Sequence, residues 1–181
     1  MKEMEETWNE PEKRHPLFKD FKHPINFNFG TITGGEWPSS VPCASTFQMR
    51  VGFFPGEPIE NVKSAIENCI KTAAEARNIP YSIEYNGFHA EGCEMDMDSP
   101  LFSVLGDIHK KVTQDEPKYG PVTCTTDARF FQLYSKMPAT CYGPESKSIH
   151  GIDESVSIES MMRVARVLCV FMSRWCGLEA L

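Results

Sequence analysis

Residues 25–32 read Ile-Asn-Phe-Asn-Phe-Gly-Thr-Ile, so apolar and polar side chains alternate until the chain reaches a Gly-Gly pair. A period of two predicts a strand with one buried face. The run at 45–54, Ser-Thr-Phe-Gln-Met-Arg-Val-Gly-Phe-Phe, alternates in the same way. Because successive side chains of a strand point to opposite faces, Arg50 is expected to point away from the core that Phe47 faces.

A helix and a third strand are predicted after this pair. Pro58 suits a first helical position, and apolar residues then recur every three or four positions to about Arg77. Residues 81–88 alternate again, which closes a strand-strand-helix-strand unit that needs one more helix and strand to form a two-layer sandwich. Residues 1–24 are polar and interrupted by prolines, and they are predicted to be the end of that helix and a linker, with three candidate anchors: Met4, Trp8 and Leu17.

The second half alternates helices and short strands, which is typical of α/β architecture. Helices are predicted from Ser99 to Val112, over 127–134 and after Ser157, with strands over 122–125 and 139–142. The last helix is predicted to bury one stripe of side chains: Ile158, Met161, Ala165, Leu168, Met172 and Trp175. The fold class is therefore α/β (α+β), divided into 1–24, 25–98 and 99–181.

Composition excludes several classes of partner. The chain has 25 acidic and 18 basic residues and a net charge of -7, without any basic stretch interleaved with aromatics, so no nucleic-acid partner is expected. No segment approaches the ~20 consecutive apolar residues of a membrane span, so no membrane partner is expected. The seven cysteines form no Cys-x-x-Cys pair, which favours reduced thiols and a cytoplasmic protein.

One histidine stands out as a candidate metal ligand. His150 lies in the loop Tyr142–Glu154 ahead of the final helix, but a catalytic zinc site needs roughly three protein ligands. From the residues alone, His150 is either such a ligand or an ordinary polar contact. His89 and Glu91 share a strand face and form a weak alternative pair, whereas the remaining histidines are predicted to be surface residues: His15, His23 and His109.

Two blocks of sequence carry a resemblance to a known family. The first runs from Pro24 to Pro42 and on to Met49-Arg50; the second runs from Thr126-Asp-Ala-Arg-Phe130 through Gly143-Pro144 to His150-Gly-Ile-Asp-Glu154. In order and spacing they resemble the C-terminal portion of the acetylornithine deacetylase and succinyl-diaminopimelate desuccinylase family of zinc metallopeptidases. The resemblance implies a ferredoxin-like lid, here without its first strand and part of its first helix, followed by the closing segment of a zinc-hydrolase domain.

The resemblance also implies roles for individual residues. His150 matches a metal ligand in an enzyme that holds two ions, zinc or alternatively cobalt or manganese, and that hydrolyses an N-acyl amino acid. Arg50 matches a residue that binds the substrate carboxylate, Thr125 a residue lining the substrate pocket, and Ser40 a lid position that reaches the partner subunit's site. No catalytic residue is assigned, and a homodimer through the lid is expected.

This family has further motifs that the chain lacks. A His-x-Asp ligand pair, an aspartate ligand in a Gly-rich segment and a Glu-Glu pair supplying the general base have no counterpart in these 181 residues. The chain alone is therefore expected to be inactive. The alternative interpretation is a non-enzymatic dimerisation module or truncated paralogue.

Overall fold

The computed structural model describes residues 1–179 and confirms a mixed α/β chain. The chain divides into two compact units. The first comprises Met1–Cys93 with Pro121–Thr125, and the second comprises Glu94–Gly120 with the chain from Thr126 onward. No helix in the described part of the chain is long and apolar enough to cross a membrane. The boundaries expected at residues 24 and 98 stay predictions.

The first unit contains the two predicted strands, which the structure pairs as an antiparallel hairpin. Strand β1 (Phe27–Gly34) pairs with β2 (Ser45–Val51), and the register shifts between Phe29 and Thr31. The extra residue in this bulge, Gly30, keeps apolar side chains on one face on both sides of the shift. Arg50 pairs with Asn28 on the opposite face and is exposed, which confirms its predicted orientation.

Two helices and two short turns complete the core of this unit. Helix α1 (Lys2–Trp8) precedes single 3-10 turns at Pro11–Lys13 and Pro16–Phe18, and α2 (Ile59–Glu75) confirms the predicted helix. The predicted anchor Trp8 packs edge-to-face on Phe27, with ring centroids 5.3 Å apart. Leu17 is exposed, however, and its neighbour Phe18 is buried instead. Six side chains form this core: Phe18, Ile25, Phe27, Val62, Ile66 and Ala74.

The strand predicted at residues 81–88 is not part of a sheet. These residues form no ladder, and Tyr85 instead donates its hydroxyl to the carbonyl oxygen of Lys63 on α2 at 3.3 Å. Desolvation, reinforced by the charge of Glu67, raises the pKa of Tyr85 to about 12. Alternation predicts an extended backbone, but a strand also requires a neighbour for its N–H and C=O groups, and local sequence does not supply one.

The second unit is built on two packed helices. Helix α3 (Pro100–Thr113) begins after the N-cap Ser99, and α5 (Ile158–Cys176) begins after the N-cap Ser157, both as predicted. Their contact centres on the buried residues Leu105, Ile108 and Val167, so burial of apolar surface holds the pair together. The shorter helix α4 (Ala128–Ser135) also confirms its prediction.

The buried face of α5 differs from the predicted stripe. Ser160 and Val167 are buried, whereas Met172 is 54% exposed and Ile158 is 71% exposed. Helix α5 is apolar on two faces, and periodicity alone does not say which of them meets α3. The predicted stripe is the face that the described residues leave largely uncovered.

Two more predicted strands also lack ladder partners. Residues 122–125 and 139–142 form no strand in the described chain. A two-residue pair that the sequence did not predict lies just before α5: β3 (Ser146–Lys147) pairs antiparallel with β4 (Ser155–Val156). Isolated extended segments without a hydrogen-bonding neighbour do not form a sheet.

Candidate functional site

His150 lies in the loop of the β3–β4 hairpin. Three residues of this loop adopt left-handed backbone conformations, Ser148 at φ 53°, His150 at φ 61° and Asp153 at φ 59°. The amide of Gly151 donates to the carbonyl oxygen of Ser148 at 2.6 Å, which tightens the turn around His150. A left-handed conformation is uncommon for residues other than glycine and is concentrated at functional sites. The loop presents the exposed His150 side chain to solvent.

The segment that leads into this hairpin is tied to α3 through Tyr142. The Tyr142 hydroxyl and Nδ1 of His109 form a hydrogen bond of 2.7 Å, and the two rings meet edge-to-face. Desolvation raises the pKa of Tyr142 above its ordinary value, so the phenol stays neutral. His109, predicted to be a surface residue, therefore has a structural contact that its sequence context did not reveal.

The described residues do not form a metal centre by themselves. Across residues 1–179, no group of three or more His, Cys, Asp and Glu side chains is placed to hold a metal ion. His150 is thus a single candidate ligand, and His89 with Glu91 adds no third group. Because a catalytic zinc site takes about three protein ligands, these side chains alone do not fit a metal ion, still less two.

Arg50 is exposed on the polar face of the hairpin. It lies near the end of β2. Across the ladder stands Asn28, a neutral residue. A guanidinium presents a planar fork of donors that matches a carboxylate, so this position suits recognition of an acidic group.

Ser40 and Thr125 lie elsewhere in the same unit. Ser40 closes the turn between the strands, where its amide and its hydroxyl both donate to the carbonyl oxygen of Trp37 at 3.0 Å. This turn follows β1 and precedes β2, and Arg50 lies about 17 Å along β2 from its first residue, Ser45, at ~3.3 Å per residue. Ser40 and Arg50 therefore lie at opposite ends of the hairpin. Thr125 is exposed in the segment Pro121–Thr125.

A cavity in the second unit was not predicted from the sequence. It measures about 440 Å³ and lies among α3, α4, α5 and residues 138–142. Its wall is mainly apolar, with Leu105, Phe131 and Phe171 contributing, while Cys141 donates to Thr126 Oγ1 at 3.4 Å on its rim. Apolar residues from four separate segments meet here, and no local pattern could have shown that they converge.

Comparison with known proteins adds two findings. Residues 5–174 match the family described as Peptidase family M20/M25/M40. The chain is also 26% identical over 189 residues to N-formyl-4-amino-5-aminomethyl-2-methylpyrimidine deformylase of Bacillus subtilis (strain 168). That alignment covers 97% of this chain and 43% of the relative, so the chain spans less than half the length of the protein that it matches.

Proposed function

Because the chain belongs to Peptidase family M20/M25/M40, we propose that it is part of a metal-dependent amidohydrolase that removes the acyl group from an N-acyl amino acid. The match over residues 5–174 is the observation that carries this proposal. The relative in B. subtilis supports the reaction type, because its name describes removal of a formyl group from nitrogen. The acetylornithine deacetylase-like substrate rests on the two sequence blocks.

The residues of this chain contribute binding groups to that reaction. Arg50 holds the substrate carboxylate through its exposed guanidinium, and Thr125 lines the substrate pocket of the complete enzyme. Ser40, at the far end of the hairpin from Arg50, reaches the site of a second subunit rather than its own. The position of Arg50 near the end of β2 and of Ser40 in the turn before β2 supports different roles for the two residues.

The number of metal ligands in this chain limits the activity that we expect of the chain alone. His150 supplies one ligand to a site for two ions, zinc or alternatively cobalt or manganese, whose other ligands come from polypeptide outside these 181 residues. When bound, the metal would supply Lewis-acid chemistry at the acyl carbonyl. The described residues hold no ligand cluster, so the isolated chain is expected to be inactive.

The expectation that the chain alone is inactive is tested with the purified protein. Zinc titration by calorimetry is run on the wild type and on His150→Ala, alongside hydrolysis assays with N-acetylornithine and N-acetylmethionine. We expect no turnover, and only weak zinc binding that disappears in the variant. Tight binding of two ions per chain together with turnover would show that the ligand inventory is wrong.

The substrate class is tested by NMR titration of the same chain. N-acetylornithine should shift the Arg50 backbone amide and its neighbours in β2, whereas its methyl ester, which lacks the carboxylate, should not. Arg50→Ala should abolish these shifts, while Arg77→Ala, an exposed arginine whose guanidinium donates to the carbonyl oxygen of Ala73 in α2, should leave them unchanged. Equal shifts with acid and ester would contradict the role of Arg50.

The non-enzymatic alternative is a dimerisation module. The apolar face of the hairpin supports it, since the tilted rings of Phe29 and Phe47 have centroids 5.6 Å apart but remain about half exposed, and Ile32 is 78% exposed. A second copy covering this face would also suit the homodimer proposed for the enzyme. We place either form in the cytoplasm, in keeping with seven cysteines that form no Cys-x-x-Cys pair, and propose no nucleic-acid or membrane partner.

A further inference from the structure

We propose that Ser160 is a positioning residue for the loop that carries His150, an inference that rests on the proposed role of His150 as a metal ligand. Ser160 is 4% exposed at the start of α5. Its hydroxyl accepts from the amide of Glu145 at 2.9 Å and donates to the carbonyl oxygen of Ser157 at 3.0 Å. A buried helix side chain is thereby bonded to both flanks of the hairpin.

The two residues that Ser160 contacts are the base of the hairpin. Glu145 immediately precedes β3 and Ser157 immediately follows β4, and the amide of Ser157 donates to the carbonyl oxygen of Glu145 at 3.0 Å. This bond continues the ladder in which Ser146 faces Val156. The amide and the carbonyl oxygen of Glu145 are therefore both bonded to the N-terminal end of α5, at the base of the hairpin whose loop carries His150.

Apart from the Tyr142–His109 bond in the segment that leads into it, the hairpin has few other contacts with the described part of the chain. Its ladder has two residue pairs, and its loop contains three left-handed residues that cost conformational energy. The ion pairs of Arg163 with Glu145 at 3.4 Å and with Asp115 at 3.7 Å involve exposed carboxylates, and such pairs contribute little. The buried Ser160 hydroxyl thus holds the base of the hairpin against the first turn of α5 and thereby restrains the loop.

Helix capping is a separate role filled by another side chain. The Ser157 hydroxyl accepts from the amide of Ser160 at 3.2 Å, which is the bond of an ordinary N-cap. Ser160→Ala removes the bond to Glu145 but keeps that cap, and alanine favours helix more than serine. If Ser160 only stabilised α5, Ser160→Ala would leave the hairpin unchanged. If Ser160 positions the loop, the same variant should loosen the hairpin.

The test is amide hydrogen exchange and NMR on the full chain. In Ser160→Ala we expect protection of the Glu145 and Ser157 amides to fall about tenfold, the effect of losing one hydrogen bond to a buried group. The strong intraresidue HN–Hα NOE that reports the left-handed φ of His150 should weaken. Protection of the Met161 amide, which donates to the carbonyl oxygen of Ser157 in the first turn of α5, should be retained.

Two variants and the wild type serve as controls. Ser160→Thr keeps a hydroxyl and should restore both signals. Ser173→Ala, which removes a hydroxyl that donates to the carbonyl oxygens of Cys169 and Val170 within α5, should leave both unchanged. Unchanged His150 signals in Ser160→Ala, or the same loss in Ser173→Ala, would overturn the proposal. If Ser160→Ala does not fold, exchange in the wild type decides: the amides of Glu145 and Ser157 should open together with that of Met161 in the first turn of α5, and earlier opening together with Lys147 would overturn the proposal.

None of these measurements requires metal or turnover. A failed zinc titration would therefore count against His150 as a ligand without affecting the result for Ser160. Conversely, a loop that keeps its conformation in Ser160→Ala would reject the positioning role even where His150 binds zinc.

Discussion

Asn9 pairs through its carboxamide with both backbone polar groups of Ile25. Its Nδ2 donates to the Ile25 carbonyl oxygen at 2.8 Å, and its Oδ1 accepts from the Ile25 amide at 3.0 Å. One turn earlier on α1, Glu5 accepts from the amide of Phe27 at 3.0 Å. Two side chains from the α1 segment thus take the place of a neighbouring strand at the start of β1, which satisfies backbone groups that a buried edge would otherwise leave unpaired.

We expect Asn9→Ala to lower the free energy of unfolding by about 2–3 kcal/mol, because it leaves a buried N–H and a buried C=O without partners. The matched control is Asn61→Ala, which removes an exposed amide that bonds only Glu57, and it should change stability by less than about 0.5 kcal/mol. Urea denaturation followed by circular dichroism measures both values. Equal costs would show that the Ile25 contacts contribute nothing specific.

The carboxylate of Glu5 should make stability depend on acid pH. The hydrogen bond from His23 at 3.1 Å, aided by the amide of Phe27, lowers the pKa of Glu5 below its ordinary value of 4.5. Because the folded state favours the ionised form, this stabilisation is fully present above pH 4.5 and is lost as the pH falls through the folded pKa. Chemical denaturation from pH 3 to pH 7 should show the decline, and Glu5→Gln should reduce it. An unchanged slope in the variant would contradict this assignment.

Two substitutions on α5 distinguish its covered face from its uncovered face. Val167 is 0% exposed against α3, so Val167→Ala should cost about 2 kcal/mol through lost burial and a residual cavity. Met172 lies on the stripe predicted from periodicity, and Met172→Ala should change stability by less than about 0.5 kcal/mol. Thermal denaturation of both variants compares them. A larger loss at Met172 would mean that the predicted stripe is covered in solution.

Tyr142→Phe tests the tie between α3 and the segment before the His150 hairpin. Loss of the 2.7 Å bond to His109 should cost about 1 kcal/mol, while Tyr134→Phe, at an exposed tyrosine, should cost almost nothing. Because desolvation raises the pKa of Tyr142, its stabilisation is fully present below pH 10.0 and is lost as the pH rises through the folded pKa. Denaturation up to pH 11 should show a larger loss in the wild type than in Tyr142→Phe, because Tyr85, whose pKa is also raised, contributes to both.

The proposed dimer is tested on the two faces of the hairpin. Ile32→Lys places a charge on the apolar face and should convert a dimer to a monomer in light scattering, because a buried unpaired ammonium is costly. Thr33→Lys places the same charge on the opposite face and should leave the dimer intact. A wild-type chain that is monomeric at every concentration would reject the dimer outright.

Local pattern predicted the elements whose signals are local. The N-cap Ser157, the helices that begin after Pro58 and Ser99, and two strands with Arg50 turned away from the core were all predicted from spacing and turn residues. Those signals depend on neighbours within a few positions along the chain. The family, too, was indicated by contiguous blocks of residues, and its match extends over residues 5–174.

Contacts between distant segments were not predicted. The choice of Phe18 over Leu17 as the buried anchor depends on packing against rings that include Phe54, and the hydrogen bond between Ser160 and Glu145 joins residues 15 positions apart. The 81–88 segment has the pattern of a strand because extended backbone is a local property. Whether it joins a sheet depends on a partner, which no window of sequence contains.

The sequence by itself therefore determined where helices α2 to α5 and strands β1 and β2 lie, which family the chain resembles and that His150 is the candidate metal ligand. Tertiary structure alone decided which of the two apolar faces of α5 meets α3, that side chains from the α1 segment complete the edge of β1, and how the His150 loop is held. The physical reason is that periodicity defines the faces of an element, whereas burial and hydrogen bonding depend on what another part of the chain brings to those faces.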